Sequence, residues 1–164
     1  MGDDWDDRVQ KVWATAAERS DDDVFEAICA LADERTEDDP DALFERASAY
    51  DYIGREAEAE PFYRRALDAG LAGERRSRAL IQLASTLRNL GRAAEGADLI
   101  RAEPDFPTEL ADARAAFLAL MLVDSGRPDE ALGRALLALA EHMVDYRRAL
   151  TYYAGELLER RKRG

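Results

Sequence analysis

The chain has 164 residues, 47% of them hydrophobic and 35% charged, with a formal net charge of −12, one cysteine and one histidine. This composition describes a folded domain able to bury about 70% of its surface, and it excludes a disordered chain, an internal disulfide, a multi-cysteine zinc site and a two-histidine metal centre. Residues 1–45 hold 16 of the 35 acids and 4 of the 23 bases, while the 19 acids and 19 bases of residues 46–164 cancel; such an acidic surface repels phosphate backbones, so no nucleic-acid partner is expected.

Nearly every segment reads as helix, and the period-two runs of a strand are absent. The first predicted helix covers about 5–19, with Trp5, Val9, Val12, Trp13 and Ala16 on one face. Ser20 reads as an N-cap, with Asp23 three positions on and Asp21–Asp22–Asp23 at the positive end of a second helix over about 21–34. That helix carries Val24, Ile28 and Leu31 on its apolar face, with Phe25 and Cys29 beside them. Asp39–Pro40 is a cap followed by a first-turn proline, and it starts a third helix that runs to about Ile53. Helices over about 55–69, 74–90 and 92–102 follow, and Gly54, Gly70 and Gly91 separate them. Pro104 and Pro107 make 103–108 a loop. Further helices are predicted over about 109–125, 128–140 and 143–161, for about nine in all.

A period emerges when the glycines between paired helices are aligned. Tyr50-Asp51-Tyr52-Ile53-Gly54-Arg55, Leu87-Arg88-Asn89-Leu90-Gly91-Arg92 and Leu122-Val123-Asp124-Ser125-Gly126-Arg127 repeat at steps of 37 and 35 residues. Small residues recur before the glycine at Ala47, Ala84 and Ala119, and after it at Ala59, Gly96 and Ala131. Large residues recur at Tyr50, Leu87 and Leu122. An Ala–Leu pair closes the first and third units at Ala66–Leu67 and Ala138–Leu139. Over about residues 40–140 this pattern resembles the tetratricopeptide repeat, a helix–turn–helix unit of about 34 residues. The departures are Ile100 and Ala135 where the first repeat has Tyr63, and a missing closing proline.

The resemblance implies an all-α solenoid of antiparallel helix pairs. It divides the chain into an acidic capping pair over 1–38, three degenerate pairs over 39–141, and a capping helix with a basic tail over 142–164, all in one structural domain. It also implies a concave groove lined by the first helix of each pair. The family's groove positions fall here on Phe44, Ser48, Asp51 and Tyr52, then Arg78, Ile81, Ser85, Arg88 and Asn89, then Ala116, Leu120, Val123 and Asp124. The lysines and asparagines of the family's carboxylate clamp are replaced by Phe44, Ser48, Ile81 and Ser85, so that clamp is absent. The expected partner is a protein or peptide, and an amphipathic segment suits a groove aromatic at one end and aliphatic at the other. The alternative is a homodimeric scaffold whose groove is filled by the last helix or by a second subunit. The first repeat also resembles a small bacterial group of such domains described as candidate dimers, and dimerisation enters only through that resemblance.

No catalytic constellation stands beside this. Phosphate-binding glycine loops and the H-E-x-x-H zinc motif are absent, so no enzyme activity, cofactor or metal is expected. His142 reads as a helix-end histidine and Cys29 as a buried small hydrophobe. The runs Asp21–Asp23 and Glu37–Asp39 lack the glycine and distant glutamate of a calcium loop. Arg160–Arg161–Lys162–Arg163 reads as a solvated helix end. The start has neither the basic nor the apolar region of a signal peptide, and the longest apolar run, 115–123, is far short of a membrane span. These features predict a cytoplasmic protein without a membrane partner. Two lysines against 21 arginines point to a GC-rich, bacterial genome.

Overall fold

The computed structural model describes residues 4–104 and 106–160. Among them are nine α-helices and no strand: α1 Asp4–Ala14, α2 Asp21–Asp33, α3 Pro40–Tyr52, α4 Glu56–Asp68, α5 Gly73–Asn89, α6 Ala93–Ala102, α7 Ala111–Asp124, α8 Pro128–Glu141 and α9 Arg147–Arg160. The all-α reading holds. The chain clusters into two compact units, Met1–Thr86 and Leu87–Gly164.

Most helix ends fall where local chemistry puts them. Ser20 accepts a hydrogen bond from the Asp23 amide at 3.1 Å, and Asp39 accepts one from the Ala42 amide at 2.9 Å with Pro40 in the first turn. Three helix ends share a second device. Gly54, Gly91 and Gly126 take φ of 72°, 79° and 72°, a left-handed conformation that costs a side-chain-bearing residue about 1–2 kcal/mol. The next residue, always arginine, turns its amide back onto the carbonyl five positions earlier: Arg55 to Tyr50 at 2.9 Å, Arg92 to Leu87 at 2.7 Å, Arg127 to Leu122 at 2.8 Å. Each arginine side chain then pairs with the glutamate three positions on, Glu58, Glu95 or Glu130. The recurrent Gly-Arg is thus one junction built three times: glycine ends a helix, and arginine ties that end to the first turn of the next.

Three expected boundaries shift. The first helix stops at Ala14, where the Thr15 hydroxyl donates back to the Lys11 carbonyl, and a 3-10 turn, Ala16–Glu18, follows. A second 3-10 turn, Thr108–Leu110, precedes α7. The last helix starts at Arg147 rather than Met143, because Tyr146 takes φ of 63° and breaks the continuity from α8. Arg161, Lys162 and Arg163 of the basic run lie outside the described residues.

The first unit centres on Trp5, Val9, Val24, Ile28 and Leu31, all buried, with Val12, Trp13, Phe25 and Cys29 packed on them. Trp5 donates its indole N–H to the Leu31 carbonyl at 2.7 Å, so the ring is buried without an orphaned donor. Ala47, Ala49, Ala59, Tyr63, Ala66 and Ala84 are fully buried. In the second unit the core is Leu87, Ile100, Leu118, Met121, Leu122 and Ala131. Arg114 caps the end of α6 by donating to the carbonyls of Ile100 (3.1 Å) and Glu103 (2.8 Å), and it covers Phe106 at 4.5 Å. α9 packs on α8, with Leu158 and Ala154 against Gly133.

Candidate interaction surface

In the first unit α1, α3 and α5 meet along one face. Arg75 of α5 donates to Asp6 of α1 at 2.8 Å and to Asp41 of α3 at 3.3 Å, and its Nε lies 3.7 Å from Glu45. Glu45 is 3% exposed and accepts from the Trp13 indole N–H at 2.8 Å. Burial pushes the Glu45 carboxyl above its ordinary range, and the Trp13 hydrogen bond and Arg75 charge pull only partly the other way. Further along, Asp51 accepts from the Tyr63 hydroxyl at 3.2 Å and lies 3.3 Å from the Thr86 hydroxyl. Burial raises the Asp51 carboxyl too, against these two hydrogen bonds, and it raises the Tyr63 phenol strongly. At the carboxyl ends of α1 and α3, Trp13 and Tyr52 meet edge to face with centroids 5.7 Å apart.

The groove positions expected from the repeat separate into buried and exposed sets. Phe44, Ser48 and Ile81 are buried, at 6%, 7% and 6% exposure, so they belong to the interior of the first unit rather than to its exposed surface. The Ser48 hydroxyl donates to the Phe44 carbonyl at 3.0 Å, and the Phe44 ring lies 6.3 Å from Tyr63. Asp51 and Ser85 are half-buried. Tyr52 and Arg78 are exposed in the first unit, with Arg78 paired to Glu74. In the second unit Asn89, Leu120 and Val123 are exposed, and half-buried Arg88 donates from Nε to Asp124 at 2.5 Å. Arg88, one of the expected groove positions, is therefore already engaged by an acid one repeat further on.

Trp13 is the residue that sequence reasoning missed. Reading the first helix as a cap set it apart from the groove helices. Its eight-residue spacing from Trp5 gave its face but not its neighbours on α3.

Cys29 is half-buried, and desolvation holds its thiol above the ordinary value. His142 lies 2.9 Å from Asp112 at an exposed position. Among the described residues no cluster of three or more histidine, cysteine or acidic side chains forms a metal cradle, and no helix is long and apolar enough to cross a membrane. The first unit thus presents aromatic area and paired charge at Tyr52 and Arg78, and the second presents aliphatic area at Leu120 and Val123.

A family model described as Tetratrico peptide repeat matches residues 40–157. Comparison with curated proteins and with solved structures returned no match.

Proposed function

Because the chain belongs to the tetratricopeptide repeat family, we propose that it is a non-catalytic module that binds an amphipathic peptide or protein segment on the surface of the first helices of its pairs. Repeats of this family are protein–protein interaction modules, generally without catalysis of their own. The observation that carries the reading is the Trp13–Tyr52 pair. Tyr52 is 40% exposed, yet its ring is held edge-on by a half-buried indole that is itself fixed on Glu45. A rigid, partly exposed aromatic loses little entropy on binding, and interface energy concentrates in such anchors. Arg78 supplies a charge beside α5's exposed surface, and Asn89, Leu120 and Val123 are the contact positions proposed in the second unit.

Panning a displayed peptide library against the whole chain tests the reading. Selected peptides should lose affinity for Tyr52→Ala while circular dichroism stays unchanged. Peptides that bind Tyr52→Ala and wild type equally would place the contact elsewhere.

A second reading is a homodimeric scaffold. It is favoured by the apolar surface of the second unit, where Leu132 and Leu139 of α8 are 50% and 54% exposed and Tyr152 and Tyr153 of α9 are 64% and 59% exposed. Leu136, half-buried, lies between the two leucines at helical spacing, so the three form one stripe. Light scattering decides this one: a dimeric mass that Leu132→Glu with Leu139→Glu reduces to a monomer supports it.

A further inference from the structure

We infer that a cavity of about 400 Å³ in the first unit, formed by the end of α2, the loop after it, α3 and α4, is a binding site for an aryl phosphate: a flat apolar body carrying a dianionic head. Its size falls in the range of small-ligand sites. Its floor is apolar, made by Ala32, Ala42 and Leu43, all buried. One wall is Phe62, whose ring is stacked on Tyr50 with a 6° interplanar angle and centroids 5.5 Å apart, which fixes its orientation. The rest of the lining is three arginines, Arg35, Arg46 and Arg65, with Thr36 and two acids, Asp33 and Glu37.

The acids that partner these arginines differ from them in burial. Arg46 is 23% exposed, while its partner Asp33 is 71% exposed. Arg65 is 41% exposed, and its partners Asp38 and Glu37 are 86% and 89% exposed. Ion pairs whose acid side lies in water hold weakly. A phosphate presents several acceptor oxygens to two guanidiniums at once, and such charge-assisted forks are the stronger contact. The ligand's head therefore displaces Asp33 from Arg46, and Asp38 and Glu37 from Arg65. Arg35 stays in place, held 3.2 Å from the helix-capping Asp39 and 4.1 Å above the Trp5 ring. The aromatic body lies on Leu43 and against Phe62, and the guanidinium of Arg46, 5.8 Å from the Phe62 centroid, sits where head and body join.

Calorimetric titration of the full chain with phenyl phosphate tests this. Arg46→Gln and Arg65→Gln should each weaken binding about tenfold, the loss of one charge-assisted contact. The variant carrying Asp33→Asn, Glu37→Gln and Asp38→Asn should bind severalfold tighter, since the internal competitors are gone, and this arm does not depend on the arginine variants folding. Inorganic phosphate should bind at least about tenfold more weakly than phenyl phosphate, because it cannot use Phe62. A phosphotyrosyl pentapeptide in parallel distinguishes a protein side chain from a free small molecule as the source, and either preference supports the site. Absence of phenyl phosphate binding, equal binding of inorganic phosphate, or no tightening in the variant lacking all three acids overturns the proposal.

Discussion

The Trp13 indole reaches two residues of α3 at once. Its ring meets Tyr52 at 5.7 Å and its N–H ends on buried Glu45 at 2.8 Å. α1 is thereby joined to the aromatic end of the surface on α3. If partner binding uses this surface, Tyr52→Ala should cost about 1–3 kcal/mol of affinity, the range of an aromatic anchor. Trp13 fluorescence on titration with a selected peptide reads the event directly, because its neighbour becomes covered. Leaving Trp13 emission unchanged at saturation would count against this end of the surface.

Packing of the repeat makes a separate prediction. Ala47 and Ala84 have no exposed surface, whereas Ala119 is half-buried. Enlarging a small residue in a closed contact costs about 1–3 kcal/mol, so Ala47→Leu and Ala84→Leu should each fall in that range. Ala119→Leu should cost clearly less. Urea denaturation of the three variants checks the order.

The contrast between Ala47 and Ala119 also shows what the sequence carries. Register, glycine junctions and caps are local: Ser20, Asp39 and the three Gly-Arg steps each use residues within about five positions of one another. Helix ends are accordingly legible from the chain. Burial is not local. Phe44 and Ile81 stand ten residues before their glycines, as exposed Ala116 does, and only the neighbouring helices decide which is covered. Arg88 and Asp124 lie 36 residues apart, about one repeat, and no short-range rule pairs them. Trp13 was hidden for the same reason. The start of α9 was missed because Tyr146 adopts a left-handed φ with no glycine, asparagine or proline to signal it.

Two buried carboxylates give opposite dependences on pH. Burial raises Glu45 in the fold above its ordinary value of 4.5, so the folded state holds a proton more tightly than the unfolded one. Stability from this group therefore falls as pH rises from about 4.5 through the raised value. Glu130 is also desolvated, but hydrogen bonds from Arg134 and Arg127 prevail and lower it. Its contribution is present above 4.5 and is lost as pH falls through the lowered value. Chemical denaturation between about pH 2.5 and 7.5 should show Glu45→Gln gaining on wild type as pH rises. Glu130→Gln should trail wild type at pH 7 and draw level in acid. The same pH trend for both variants would contradict the two assignments.

Gly133 and Gly155 sit in neighbouring helices of the second unit, and the same substitution should act on them with opposite sign. A Cβ at Gly133 would stand 2.9 Å from Leu158 Cγ and 3.1 Å from the Ala154 carbonyl oxygen. The leucine branch point cannot swing away as a chain end can, and the carbonyl belongs to the α9 backbone. Gly133→Ala should therefore force α9 off α8, at about 1–3 kcal/mol. A Cβ at Gly155 meets nothing within 4 Å, and the residue is mid-helix. Replacing glycine there restricts the unfolded chain without a clash, so Gly155→Ala should add about 0.4–1 kcal/mol. Thermal melts of the two variants provide the measurement, with wild type expected between them. A Gly133→Ala protein as stable as wild type would mean that α9 does not lie on α8 at this distance. Loss of stability in Gly155→Ala would mean that its exposed side is covered in solution.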